Sequence, residues 1–213
     1  TSSSKSIGGG LNGTGVTSRF YPLRFSFCEN WQSALPLISL QYHDVELRIT
    51  WGTTAETDKW DVYANYAYLD TQEREVFAAQ PQNMIMTQIQ KAIASGSKIQ
   101  ELNFNHPVKY LASADSANLS ILDDSNKLKL QINGTDVADF KFADPNFTTV
   151  PLYYHTSNGD SSTAKKLFVY PFCLESAKLQ PTGSLNFSRL DSARIISSAT
   201  ECTKDIYAVN YNV

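Results

Sequence analysis

The sequence predicts an all-β sandwich. Apolar and polar residues alternate with a period of two in several stretches, as strands with one buried face require. Clusters of Asn, Asp, Gly, Ser and Pro separate those stretches and supply chain reversals. Helix-forming composition is confined to one short segment.

Taken in order, Thr1 to Ser18 is Ser/Gly/Thr/Asn-rich. Gly8-Gly9-Gly10 and Asn12-Gly13-Thr14-Gly15 bring no apolar surface to bury, so residues 1–19 read as a flexible loop. Phe25 and Phe27 then alternate with Arg24 and Ser26, and Asp44 to Trp51 alternates without a break. Trp60, Val62, Ala64, Tyr66 and Tyr68 repeat the period. These are residues that suit a pleated, half-buried surface. Thr71 to Gln80 carries helix formers, with Asp70 placed to cap it and Pro81 to stop it. Met84 to Ile93 fits strand or helix. Leu128, Leu130 and Ile132 alternate with Lys127, Lys129 and Gln131; Asn133-Gly134 follows, then Thr135 to Phe142. That reads as a hairpin, because Asn and Gly tolerate the positive φ of a type I′ turn. About ten short strands separated by loops describe a sandwich. The helical stretch is the one plausible domain boundary.

Composition narrows the function. The 213 residues include 23 Ser, 17 Thr and 14 Asn, about a quarter of the chain. A net charge of −3 provides no field to hold nucleic acid or an anionic membrane. No apolar run is long enough for a transmembrane helix. The opening Thr1-Ser2-Ser3-Ser4-Lys5 has no apolar core and does not read as a signal peptide. Cys28, Cys173 and Cys202 are too few and too scattered for a disulfide framework. They read as small buried hydrophobes in a reducing compartment.

Chemistry-bearing motifs are scarce. His43, His106 and His155 stand far apart, without metal-ligand spacing. His43-Asp44 has no G-x-S-x-G partner and reads as a loop–strand junction. Asp123-Asp124 with Asn126 lacks the rest of a calcium loop and reads as a polar turn. Gly8-Gly9-Gly10 has no following Lys-Ser/Thr, and Lys165-Lys166 reads as solvated surface. An enzyme needs convergent ionisable groups, and the sequence predicts no enzyme, metal or cofactor. Five N-x-S/T sequons occur, at Asn12, Asn118, Asn133, Asn146 and Asn186. Asn118, Asn133 and Asn146 are the candidate glycosylation sites, lying in polar, turn-rich segments; Leu185-Asn186-Phe187 reads as ordered sheet.

Five separated segments carry a resemblance. They are Phe20-Tyr21-Pro22-Leu23-Arg24-Phe25-Ser26-Phe27 continuing through Ala34 to Val45; Tyr68-Leu69-Asp70-Thr71-Gln72-Glu73-Arg74; Leu102-Asn103-Phe104-Asn105-His106-Pro107-Val108-Lys109-Tyr110-Leu111; Gln180 to Ala193; and Ile206 to Val213. In this order they resemble the major capsid proteins of the nucleocytoplasmic large DNA viruses, with wording closest to the algal-virus branch. Residues 1–19, 112–126 and 143–164 do not match.

The resemblance implies two jelly rolls in one chain, each a sandwich of about eight strands. Family chains are substantially longer, which implies that residues 1–79 are the C-terminal part of a first jelly roll. Residues 80–213 are then the second, with its last strand cut short. The implied role is structural: a homotrimer of pseudo-hexagonal outline tiles an icosahedral shell with neighbouring capsomers and minor capsid proteins. It implies no direct contact with nucleic acid, assembly in the host cytoplasm and residence in the virion. Pro22, Pro36, Pro107 and Pro181 would stand at strand starts. Arg189 and Asp191 are candidate assembly residues, against the plainer reading of an intrachain brace. A carbohydrate-binding jelly roll is the alternative. Trp31, Trp51 and Trp60 would be its stacking residues, although alternation places Trp51 and Trp60 in a core. A cupin-like enzyme would need two His and a carboxylate at motif spacing, which are absent.

Overall fold

The computed structural model describes residues 22–28, 30–51, 60–115, 117–155, 166–178 and 180–213. The flexible loop expected over 1–19, Gly8-Gly9-Gly10, Asn12 and Lys165 lie outside the described residues. The chain divides into two compact units, Thr1–Met84 and Ile85–Val213.

The first unit holds helix α1 (Thr71–Ala79) and short 3₁₀ turns at Ser26–Cys28 and Trp31–Ser33. Helix α1 starts as its sequence dictates. The Asp70 side chain accepts from the Glu73 N–H at 2.9 Å, and the Glu73 carboxylate accepts from the Asp70 N–H at 3.2 Å. This reciprocal capping box satisfies two otherwise orphaned donors. The expected strands are not formed. Residues 44–51 and 60–68 have no ladder partner among the described residues, and their apolar side chains are exposed. Trp51 and Trp60, expected in a core, are 37% and 47% exposed and stack on each other at 4.4 Å. Phe25 and Phe27 also stack, at 5.1 Å, across a 3₁₀ turn rather than along a strand. Cys28 is exposed, contrary to its reading as a buried hydrophobe. The physical reason is general: alternation marks a face to bury, but a strand forms only when a neighbour takes its backbone N–H and C=O groups.

The second unit supplies such neighbours. Its strands are β1 (Met86–Ala92), β2 (Ile99–Glu101), β3 (Pro107–Ala114), β4 (Lys127–Ile132), β5 (Thr135–Asp136), β6 (Lys141–Phe142), β7 (Leu167–Pro171), β8 (Leu185–Asn186), β9 (Ala193–Ser197) and β10 (Ile206–Asn212). Met84 to Ile93, ambiguous in sequence, is therefore strand. One sheet runs β1-β10-β3-β7 with β8 also on β3; the other runs β2-β9-β4-β5 with β6 also on β4. All pairs are antiparallel. Successive strands mostly cross from one sheet to the other, which is the jelly-roll winding. Of the prolines expected at strand starts, Pro107 opens β3, whereas Pro22, Pro36 and Pro181 lie outside strands.

The core lies between the sheets. Leu128 and Leu130 of β4 and Ile195 of β9 meet Val108 and Leu111 of β3, Phe168 of β7 and Ile206 and Ala208 of β10. Val108 and Leu111 are three apart, yet both are fully buried. A register shift opposite Val209 and Asn210 explains this, because Lys109 is the extra residue of a bulge. Asn133 and Gly134 adopt φ of 49° and 79° between β4 and β5, the two positive values of a type I′ turn. The returning arm breaks after Asp136 and resumes at β6, shorter than the alternation suggested.

Candidate functional site

One hydrogen-bonded surface feature of the second unit is built from two segments far apart in sequence. Residues 102–106 follow β2, and residues 187–192 join β8 to β9. Phe187 is buried and packs edge-on against Phe104 with ring centroids 5.8 Å apart. From that anchor a 3₁₀ turn, Phe187–Arg189, closes with the Leu190 N–H donating to the Phe187 carbonyl at 3.1 Å. The Ser188 N–H donates to Asn186 Oδ1 at 3.1 Å. Ser188 Oγ accepts from the His106 N–H at 2.8 Å, and the His106 carbonyl accepts from the Phe187 N–H at 3.1 Å. Asn133 Oδ1 clamps the far side, accepting from the N–H groups of Asp191 and Ser192 at 2.9 and 3.1 Å. The turn is thus fixed at both ends. Between it and residues 102–105 lies a cleft of about 290 Å³, lined by Asn103, Asn105, Ser188 and Asp191 over Phe104 and Leu190.

Arg189 and Asp191 both lie exposed on this turn. No ion pair joins them, and among the described residues neither side chain has a hydrogen-bonded or charged partner. Among the described residues, no intrachain brace joins Arg189 to Asp191.

The opposite end of the sandwich gathers Asp115 and the loops 93–98, 117–126 and 198–205. There Ser120 Oγ donates to the Glu201 carbonyl at 2.9 Å, and the Gly96 N–H to the Cys202 carbonyl at 3.0 Å. The Ala94 N–H donates to Asp205 Oδ1 at 2.9 Å, and Lys204 pairs with Asp115 at 3.0 Å. Asn118 is exposed at this end, whereas Asn133 is exposed at the end with the cleft. Asn146 is exposed, but its Nδ2 donates to the Phe142 carbonyl at 3.0 Å. Thr148, the hydroxyl residue of its sequon, is fully buried and donates to Asp144.

Titration shifts follow packing rather than a convergent site. Burial pushes the Cys202 thiol up to about 11, and it also raises Cys173 and Tyr170. The hydrogen bond from Lys129 lowers Asp136, and the Ala94 N–H followed by Lys91 lowers Asp205. Burial lowers His155, whose Nδ1 has no partner. His43 and His106 are exposed. Among the described residues, no three His, Cys, Asp or Glu side chains converge as metal ligands. No described helix is long and apolar enough to cross a membrane.

Sequence reasoning missed two structural residues. Asn126 is fully buried; its Nδ2 donates to the Ile121 carbonyl at 2.8 Å, and its Oδ1 accepts from Ser197, Ser198 and Ala199. Lys109 is buried at the bulge, donates to the Ser176 carbonyl at 2.9 Å and lies 5.2 Å from the centre of the Tyr211 ring. The sole available signal for Lys109 was a charged residue inside an apolar strand.

The second unit is thus a two-sheet jelly roll of antiparallel strands, with a hydrogen-bonded turn beside a cleft as its organised surface. Comparison with known proteins then gives the family. Residues 73–213 match the family described as large eukaryotic DNA virus major capsid protein, and residues 11–70 match the major capsid protein N-terminus. The chain belongs to the large eukaryotic DNA virus major capsid protein family. It is 32% identical over 248 aligned positions to the major capsid protein of Pyramimonas orientalis virus, covering 100% of this chain and 62% of that one. Against the major capsid protein of Paramecium bursaria Chlorella virus 1 it is 29% identical, covering 90% and 57%. The chain thus spans about three-fifths of these relatives. A quasi-atomic model of the PBCV-1 virus capsid shares the fold, with TM-score 0.54 and 24% identity over 68% of this chain and 52% of that one.

Proposed function

We propose that this chain is a structural subunit of a viral capsid, resident in the virion and without catalytic activity. The family match over residues 73–213, which contain the two-sheet winding, carries this reading. In it, residues 1–79 belong to a first jelly roll and residues 80–213 form the second. Three copies associate as a capsomer, and capsomers meet neighbours and minor capsid proteins. The exposed alternating faces of residues 45–51 and 60–68 are in keeping with this, since such faces call for a further layer. Asn118 is the sequon most open to a glycan on the folded chain; Asn133 is exposed, but its Oδ1 holds the N–H groups of Asp191 and Ser192, and Asn146 is the least available, because Thr148 is buried.

Electron microscopy of the expressed complete gene product tests the reading. Particles of hexagonal outline with the mass of three chains are expected. A monomer that binds a glycan array would favour the carbohydrate-binding alternative, for which exposed Trp31 is the available stacking residue. Intact-mass measurement on virion-derived protein, followed by peptide mapping, reads glycan occupancy at Asn118 and Asn133.

A further inference from the structure

We propose that Asn133 is a gated modification site: deamidation at Asn133-Gly134 is suppressed while the Phe187–Ser192 turn is closed, and opening of the turn lets Asn133 convert irreversibly to aspartate or isoaspartate. This does not rest on the capsid reading. The reaction needs only the chain and water. The Gly134 nitrogen attacks Asn133 Cγ, and the new N–Cγ bond closes a succinimide ring as the Cγ–Nδ2 bond breaks. Nδ2 departs as ammonia, carrying the proton that the Gly134 nitrogen gives up. Water then opens the ring, at Cγ to leave aspartate or at the main-chain carbonyl to leave isoaspartate. Nothing is oxidised or reduced.

Three observations set the gate. The reacting groups are open: Asn133 is exposed, and a Cβ placed on Gly134 would meet nothing within 4 Å. The closed turn nevertheless withholds the attacking nitrogen. Asn133 has a φ of 49° at the first central position of a type I′ turn, where the ideal ψ is about 30°. The Gly134 nitrogen then lies across the Cα–C bond from Cβ, away from Cγ, whereas ring closure needs it on the same side. Finally, residues 191–192 fix that conformation. The Asn133 N–H donates to the Ser192 carbonyl at 2.8 Å, and Asn133 Oδ1 accepts from the Asp191 and Ser192 N–H groups at 2.9 and 3.1 Å. Two donors on Oδ1 polarise Cγ as an oxyanion hole does. The amide is therefore activated while its nucleophile is out of place, and attack geometry decides the rate. Turning Asn133 into the reactive conformation moves its side chain or its backbone, and so gives up bonds to residues 191–192. Isoaspartate adds a methylene to the main chain and removes one from the side chain. The clamp on Asp191 and Ser192 then cannot re-form, and the opening is recorded.

The test compares Asn133 with itself. The complete gene product, expressed in bacteria so that no N-glycan occupies Nδ2, is held at mildly alkaline pH in heavy-oxygen water. Folded and denatured samples are followed by peptide mass spectrometry. Two further Asn-Gly pairs, Asn12-Gly13 and Asn158-Gly159, lie outside the described residues. In denaturant all three pairs should react alike, since each Asn is followed by the same residue. In the folded protein Asn133 should react at least about tenfold more slowly than in denaturant, in proportion to the population of the open turn. Ser188→Ala removes the acceptor of the His106 N–H, and Phe187→Leu thins the packing on Phe104 and Phe172. Each should speed the folded rate, whereas Arg189→Ala should leave it unchanged. Equal folded and denatured rates at Asn133 overturn the proposal. So does folded-state protection that neither Ser188→Ala nor Phe187→Leu weakens, which would place the gate elsewhere. In the purified isoaspartate form, hydrogen exchange at the Asp191 and Ser192 amides should be faster than in the unmodified chain. Unchanged exchange there would mean that the turn closes again, and would overturn the irreversible record.

Discussion

Residues 44–51 and 60–68 carry the same alternating pattern as residues 127–132, yet they end in a different state. In β4, Leu128 and Leu130 are buried and both backbone edges are paired, to β9 on one side and to β5 and β6 on the other. In the first unit, Val45, Leu47, Ile49, Trp60 and Val62 alternate as cleanly but remain exposed, with no strand formed. The pattern states which face is to be covered; it does not supply the cover. Side-chain burial and backbone pairing are separate requirements, and stable sheet appears where both are met.

The largest expected effects separate the two regions by stability. Phe168 is fully buried and packs against Phe147 at 5.9 Å. Phe168→Ala should destabilise the second unit by about 3–5 kcal/mol, from lost transfer free energy and the cavity left behind. Val62→Ala, at a site 62% exposed, should change stability by less than about 0.5 kcal/mol. Denaturant unfolding of the whole chain, followed by hydrogen exchange resolved by segment, checks both. An equal loss from the two substitutions would mean that residues 60–68 are buried in solution.

Next in size is the buried amide. Asn126→Ala removes four hydrogen bonds and strands the Ile121 carbonyl and the Ala199 N–H without partners. A loss of about 1–3 kcal/mol should follow. Asn126→Asp should recover little, because a carboxylate cannot donate to the Ile121 carbonyl. Unfolding midpoints of the two variants decide this.

This residue also shows what sequence could and could not reveal. The helix at 71–79, the Asn133-Gly134 turn and the inward face of β4 were legible because each rests on neighbours in sequence: a capping box, two positive φ angles, a period of two. Asn126 read as part of a polar turn, since its partners at 197–199 lie about seventy residues away. Lys109 was hidden for a different reason: a bulge shifts the parity of β3, and bulges follow from pairing with β10. The Phe187–Ser192 turn was visible as a charged motif, but its rigidity comes from Asn133 and His106, which only the fold brings near. The strands expected over 44–51 and 60–68 failed in the opposite sense, because local pattern was complete and the tertiary neighbour was not.

A pH dependence of intermediate size distinguishes the cysteines. Burial raises the Cys202 thiol from 9.0 to about 11. The folded chain therefore holds this proton more tightly than the unfolded one. Its stabilising contribution is complete below about 9 and declines as pH rises toward about 11. Cys202→Ala should remove part of that decline, measured by unfolding midpoints across this range. Native-state thiol labelling should modify exposed Cys28 quickly, and Cys173 and Cys202 only on unfolding. Rapid native labelling at Cys202 would contradict its burial.

The smallest effect belongs to helix α1 of the first unit, whose start is set by a cap within its own sequence. Helix α1 is capped by Asp70 and Glu73, and none of its residues is buried. Asp70→Ala should cost about 1 kcal/mol of local helix stability. Because no residue of this helix is buried and the Ser39 hydroxyl meets it at the Phe77 carbonyl, away from the cap, the loss should remain local. Hydrogen exchange at the Glu73 and Arg74 amides should accelerate, while exchange in β4 and β9 stays unchanged. Asp70→Asn, which still accepts from the Glu73 N–H, should restore most of the protection. If Asp70→Ala left Glu73 and Arg74 unchanged, the helix would be held by contacts beyond its own cap, and the contrast between a locally specified first unit and a cooperatively packed second one would fail.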